Sequence, residues 1–265
     1  TGALLLAALL LAGCTNLLGP GIKVSETNGQ NAPIVPARGD SEDDVVGARE
    51  HPRIVASYGG VYSDRQAEIV IARIVGRLLA AADQPNTPFT VTILDTAEVN
   101  AFALPGGPTF ITEALYDRLQ TEGQIAGVLA HEITHVVARH SAEQIAKQNL
   151  TQGLTGAAVL AAYDPDNPDS MRTAQVALLI GQLVNLKFSR DDELEADRLG
   201  VRWMAQAGYD PRAMIRVMEI LAEAGGPNRQ PEFFSTHPNP DNRIQRIEEA
   251  IAAEFPDGVP AGLIQ

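Results

Sequence analysis

The chain has 265 residues, 45% of them hydrophobic and 5% aromatic, enough apolar material for one substantial core. A formal charge of -13 and a sequence pI near 4.8 repel phosphate backbones and anionic lipid surfaces, which argues against nucleic acid as a partner. The single cysteine, Cys14, excludes an internal disulfide.

Ala3 to Ala12 is a Leu/Ala run of signal-peptide length that ends in Leu11-Ala12-Gly13-Cys14. It is too short to span a bilayer. The ending resembles the bacterial lipoprotein signal, which implies cleavage after residue 13, a lipid anchor at Cys14 and a periplasmic protein held on a membrane; Thr15 favours the outer one. Residues 14–47, rich in Gly, Pro, Asn, Asp and Ser without periodicity, read as a flexible tether. The folded unit is expected over 48–256, with 257–265 a tail.

Ser63-Asp64-Arg65-Gln66 starts a helix in which Ile69, Val70, Ile74, Val75, Leu78 and Leu79 recur at helical spacing up to the Pro85 region. Phe89 to Leu94 alternates as a strand, Val99 to Leu104 forms a second and Thr109 to Thr112 a third after Pro105-Gly106-Gly107-Pro108. Beyond them the pattern is helical, with a long helix over 122–148 and others near 171–188, 189–206, 211–224 and 240–254. Gly153 to Tyr163 is apolar, but Asp164-Pro165 ends it well short of a membrane span. The fold class is α+β, a small sheet followed by a helical body.

Two histidines four residues apart on a helix lie about 40° apart around its axis, so His131 and His135 can aim both imidazoles at one metal ion. Glu132, beside the first, is placed to act as general base on a water there. A third ligand is needed. His140, about 140° beyond His135 on a continuous helix, faces away and reads as a structural residue near the helix end. In Ser189 to Arg198, Glu193 and Asp197 share a face with Gly200 and Met204, whereas Glu195 lies with Asp191 and Arg198 on a charged, solvated face. Helix geometry prefers Glu193 as ligand and Asp197 as acceptor for a ligating imidazole, though spacing alone leaves Glu195 open.

His131-Glu132-Ile133-Thr134-His135, Glu193-Leu194-Glu195-Ala196-Asp197 and Asn100-Ala101-Phe102-Ala103-Leu104-Pro105-Gly106-Gly107, taken together, resemble family forty-eight of the zinc metallopeptidases, the gluzincin family of the HtpX and CAAX prenyl proteases. The likeness runs from about Ser57 to Ile251. It implies a zincin-like fold, one zinc ion on His131, His135 and Glu193, Glu132 as base, and Asp197 orienting a ligand. It also implies that Asn100, Ala101, Phe102 and Ala103 form an edge strand on which an extended substrate pairs, and that protein or peptide substrates are cut, here misfolded or unassembled proteins of the cell envelope. Candidate donors to the developing oxyanion are His237 and Arg243 in the Thr236-to-Arg243 segment. Pro227 to Pro240 reads as a stiff, extended loop that could hold the His237 imidazole over the metal as a latch, the alternative being a surface histidine that caps the next helix. The rival from another class is a lipoprotein that keeps the fold to bind envelope proteins without cutting them; Glu132 separates the two.

Overall fold

The computed structural model describes residues 42–152, 186–225, 231–239 and 242–265. Cys14, the signal run, the apolar stretch from Gly153 and most of the helix expected at 171–188 lie outside these residues. Within that last expectation, 186–188 are not helical.

Helix α1 (Glu42–Ser57) begins inside the stretch expected to be tether. Its inward face is Gly47, Glu50, His51, Ile54 and Val55, a stripe at helical spacing. Two of those five positions are polar and Pro52 interrupts the run, so an apolar periodicity does not register. Burial of the polar pair is made tolerable by partners: Glu50 meets Arg53 Nη1 at 2.8 Å, and His51 Nε2 meets Thr92 Oγ1 at 2.8 Å. Helix α2 (Arg65–Ala81) follows, started by Asp64, whose carboxylate accepts from the amides of Gln66 and Ala67.

Three strands come next, β1 (Thr90–Leu94), β2 (Ala101–Ala103) and β3 (Pro108–Thr112), in the order β1-β3-β2. β1 runs parallel to β3 and β2 antiparallel to it, with Phe102 opposite Phe110, which leaves β2 at the edge. The β2–β3 turn needs Gly106 and Gly107, at φ 79° and 103°, and a Cβ on Gly107 would stand 2.1 Å from the Pro88 carbonyl oxygen. On one face Ile54 and Val55 of α1 pack with Phe102, Leu104 and Phe110. The main core lies on the other.

Short α3 (Glu113–Tyr116) leads to α4 (Glu122–Val137), capped by Thr121 and buried at every residue from Gly123 to His135. It is sheathed by α2, β2, α6 (Arg190–Gln206) and α7 (Ala213–Ala224). The single helix expected over 122–148 is in fact two, because Ala138 closes α4 and Arg139 turns left-handed at φ 61° before α5 (His140–Gln152) begins. Neither Gly nor Pro marks this break, and a non-glycine residue there carries roughly 1–2 kcal/mol of steric cost. Short α8 (Phe233–Thr236) and then α9 (Arg243–Glu254) complete the described helices. None of the helices among the described residues is long and apolar enough to cross a membrane. Residues 257–265, expected as a tail, fold back: Ile264 bridges Tyr209, its carbonyl accepts from Asp210 N at 2.8 Å, and Gln265 donates to Asp210 Oδ2 at 2.7 Å.

Candidate metal centre

Three helices and one turn deliver the site. α4 carries His131, Glu132 and His135, all fully or nearly buried. α6 packs across it closely enough that a Cβ on Gly200 would sit 3.5 Å from His131 N, and this brings Glu193 and Asp197, both buried, against the two histidines. The Nε2 atoms of His131 and His135 face each other at 3.1 Å, and Glu193 offers Oε2 at 3.6 Å from the first and Oε1 at 3.5 Å from the second.

The turn after α8 adds His237. Its Nδ1 lies 2.9 Å from Thr236 Oγ1 and 3.3 Å from the Phe233 carbonyl, which fixes the proton on Nδ1 and leaves Nε2 as a bare lone pair. The ring stacks on Phe233 at 4.2 Å with an 8° interplanar angle, and Nε2 stands 3.4 Å from Glu132 Oε1. One ligand atom from each of His131, His135, Glu193 and His237 falls within 4.8 Å of the other three. Among the described residues of the stretch expected as an extended loop, Phe233 to Thr236 instead form a helical turn with Phe233 driven into the core. Nor is His237 a surface cap, being 0% exposed.

The donor set fits a divalent cation. Both oxygens of Glu132, Oε1 of Glu193 and Nε2 of His237 are buried without a hydrogen-bond partner, which costs free energy unless a cation or its bound water completes them; Oε2 of Glu193 has its ion-pair contact with Arg243. Burial pushes the Glu132 carboxyl up to about 8 and Glu193 up to about 7, in each case against the pull of Arg243. The same burial holds His135 and His237 well below the ordinary imidazole value, so both rings stay neutral and able to ligate.

Behind the cluster, Asp197 Oδ1 takes the Nδ1 proton of His131 at 3.0 Å. Arg243, first residue of α9 and 2% exposed, clamps Asp197 with Nε at 2.7 Å and Nη2 at 2.9 Å and reaches Glu193 Oε2 with Nη1 at 3.0 Å. Burial alone would raise Asp197, but Arg243 and the His131 hydrogen bond win and hold it well below the usual carboxylate range. Arg243 thus contacts both Asp197 and Glu193.

A family model described as Peptidase family M48 matches residues 65–251, well over half of the chain. The chain belongs to peptidase family M48. It is 35% identical over 179 residues to the beta-barrel assembly-enhancing protease of Escherichia coli (strain K12), covering 63% of this chain and 35% of that one. To the mitochondrial metalloendopeptidase OMA1 of Schizosaccharomyces pombe it is 34% identical over 202 residues, covering 75% and 58%. It thus spans between a third and three-fifths of the length of these curated relatives. M48 peptidases are zinc-dependent, and the His/Glu cluster lies within the matched span.

For this M48 chain the sequence motifs come together in space, with Asn100 to Ala103 alongside: β2 packs against α4, and Val99, just before it, accepts from the Phe233 amide at 3.3 Å. The Asn100 backbone is committed to Thr112 through 3.0 Å contacts in both directions. Two residues were missed or misread. Phe188, expected in a helix, lies in an extended segment whose amide donates to Thr236 O at 3.1 Å, and its ring covers His135 at 3.8 Å. His140, read as turned away from the metal, contacts His135 because the left-handed Arg139 redirects the chain; Glu195 is half-exposed beside Arg198, as expected of the charged face, and also lies 3.4 Å from His140 Nε2. The signal available was a third histidine five residues beyond the motif, which a continuous helix would point away.

Proposed function

We propose that this chain is a zinc metalloendopeptidase that hydrolyses peptide bonds in misfolded or unassembled proteins of the bacterial cell envelope, anchored through lipid at Cys14 to the periplasmic face of a membrane, the outer one by Thr15. One zinc ion is held by His131, His135 and Glu193. The observation that carries the reading is the convergence of those three side chains, with Glu132 buried beside them and both its oxygens unpartnered. Bound there, zinc supplies Lewis-acid polarisation of a water and of the scissile carbonyl.

The chain's own residues supply the rest. Glu132 takes the proton of the attacking water and returns it to the amide nitrogen as the carbon–nitrogen bond breaks. Asp197 holds His131 by Nδ1, and Arg243 keeps Asp197 ionised. Asn100 to Ala103, at the edge of the sheet, offer an extended polypeptide a strand to pair with. His237, the fourth donor of the cluster with Nε2 bare, would cover zinc in the resting enzyme; after moving aside it can donate to the oxyanion only once Nε2 has gained a proton. The name of the Escherichia coli relative, a protease that enhances β-barrel assembly, is consistent with envelope substrates, and the lipoprotein-like run around Cys14 supports the location.

Glu132→Gln tests this directly. It should retain fold and zinc while casein cleavage falls by about 10²–10⁴-fold, the usual value of a general base. A Glu132→Gln variant that cuts casein at the parent rate would defeat the peptidase reading, and the non-proteolytic binding lipoprotein would take its place.

A further inference from the structure

The proposed chemistry leaves two buried imidazoles unused, His51, which bonds Thr92 from the inward face of α1, and His140, which lies against the cluster. His140 is 4% exposed, its Nδ1 lies 3.0 Å from Nδ1 of His135, and the two rings meet edge to face at 71°. Its Nε2 points the other way, 3.4 Å from Oε2 of Glu195 on α6. A short contact between two ring nitrogens holds a single hydrogen, so the tautomers are determined once one end is known. His135 can present an Nε2 lone pair to a metal only if its proton is on Nδ1. His140 must then accept at Nδ1 and carry its own proton on Nε2, where a carboxylate is in place to receive it.

We infer that His140 and Glu195 form a positioning relay for His135, in which His135 Nδ1–H donates to His140 Nδ1 and His140 Nε2–H donates to Glu195, and that this relay sets how tightly the site holds zinc. It is the counterpart of Asp197 and Arg243 behind His131, made from different materials. One arm ends in a fully buried ion pair; the other passes through a neutral ring to a carboxylate whose side chain is 47% exposed. Because ring orientation and ligand basicity both depend on the outer hydrogen bond, loss of either arm loosens the metal. Mere docking of α5 does not require this contact, since Gln144 Nε2 already ties that helix to Asp192 Oδ2 at 2.7 Å and Ser141 Oγ ties it to the Ala103 carbonyl at 3.3 Å. The inference rests on reading the cluster as a zinc site.

The test is zinc affinity of the full chain, by competition with a chromogenic chelator, together with the visible spectrum of the cobalt(II)-substituted protein. His140→Ala should weaken zinc by about 10–100-fold and move the cobalt bands. His140→Gln, whose Oε1 can accept from His135, should recover most of the affinity. Glu195→Ala should lose less than His140→Ala, because water can replace a half-exposed carboxylate, and it reads the same relay should His140→Ala fail to fold. Gln144→Ala, which loosens α5 without touching a ligand, should leave affinity unchanged. Parent-like zinc affinity in His140→Ala, an unchanged Glu195→Ala, no rescue by His140→Gln, or an equal loss in Gln144→Ala would each overturn the relay. A parent chain that binds no zinc would instead overturn the metal-site reading and carry the relay down with it.

Discussion

Two aspartate–arginine pairs in this molecule use the same fork geometry for unlike ends. Asp197 and Arg243, 46 residues apart in sequence, meet at 2.7 and 2.9 Å with both side chains almost wholly buried. Asp210 and Arg212 are near neighbours in sequence, the Arg212 Nε lying 3.0 Å from both carboxylate oxygens, and the guanidinium stands 56% exposed. In the first pair neither charge has water to fall back on, so each is held in place by the other and by His131 and Glu193. In the second, water competes for the arginine, and the aspartate's remaining bonds to the Arg212 amide and to Gln265 do the structural part. Hydrogen-bond count alone would rank the exposed pair higher, with three side-chain bonds against two; burial reverses the order.

Removing Arg243 should therefore have the largest effect. Arg243→Ala leaves Asp197 buried without its counter-charge and Glu193 without the cation at 3.0 Å, a loss of about 3–5 kcal/mol in urea unfolding. The sharper version is Asp197→Leu combined with Arg243→Met. Removing both charges should restore much of the stability while zinc affinity stays low, since His131 has lost its acceptor at Nδ1. A double variant that recovers neither, or that binds zinc like the parent, would mean the pair is not an orienting device for His131.

That pair also shows what could be read from the sequence. Glu193 and Asp197 share a helical face by spacing, so their proposed roles as ligand and outer acceptor follow from one helix, and those of His131 and His135 from another. The helices themselves are legible for the same reason: Asp64, Thr121 and Ser189 are caps ahead of periodic runs. Arg243 could be noticed but not placed, because where the start of α9 lands is set by its packing against α6 and α7. α1 was hidden by the polar Glu50 and His51 in its buried stripe, and the α4–α5 break by the absence of any glycine or proline at Arg139. His140 was hidden with that break, and Phe188 because residues 186–188, tied to Thr236, read as the end of a helix.

The segment between His237 and Arg243 carries the next prediction, since one end is pinned by an ion pair and the other only by neutral contacts. His237 is held by Thr236, the Phe233 carbonyl and a stacked ring, each modest next to the Asp197 clamp. His237→Ala should raise basal casein cleavage severalfold with zinc retained, as expected when a resting state that covers the metal is removed. A fall in activity at full zinc occupancy would instead make the imidazole a transition-state donor, and no change on several substrates would leave it structural.

The smallest effect belongs to the exposed pair, and its sign with pH can be stated in advance. Arg212→Ala should cost about 0.5 kcal/mol at neutral pH, the ordinary worth of a surface pair. The Arg212 hydrogen bond, its largest influence, holds the Asp210 carboxyl below its usual value, with Gln265 adding to the same direction against some burial. A carboxyl depressed on folding contributes stability that is complete above its unfolded pKa of about 3.9 and is lost as pH falls through the lower folded value. The parent and Arg212→Ala unfolding curves should accordingly differ most above about pH 5 and converge in acid as Asp210 takes up its proton. Because Asp210 also holds the returning chain through Gln265 and Ile264, proteolytic release of residues 257–265 should track the same convergence. A gap that widens in acid, or an Arg212→Ala loss as large as that of Arg243→Ala, would show that burial is not what separates the two pairs.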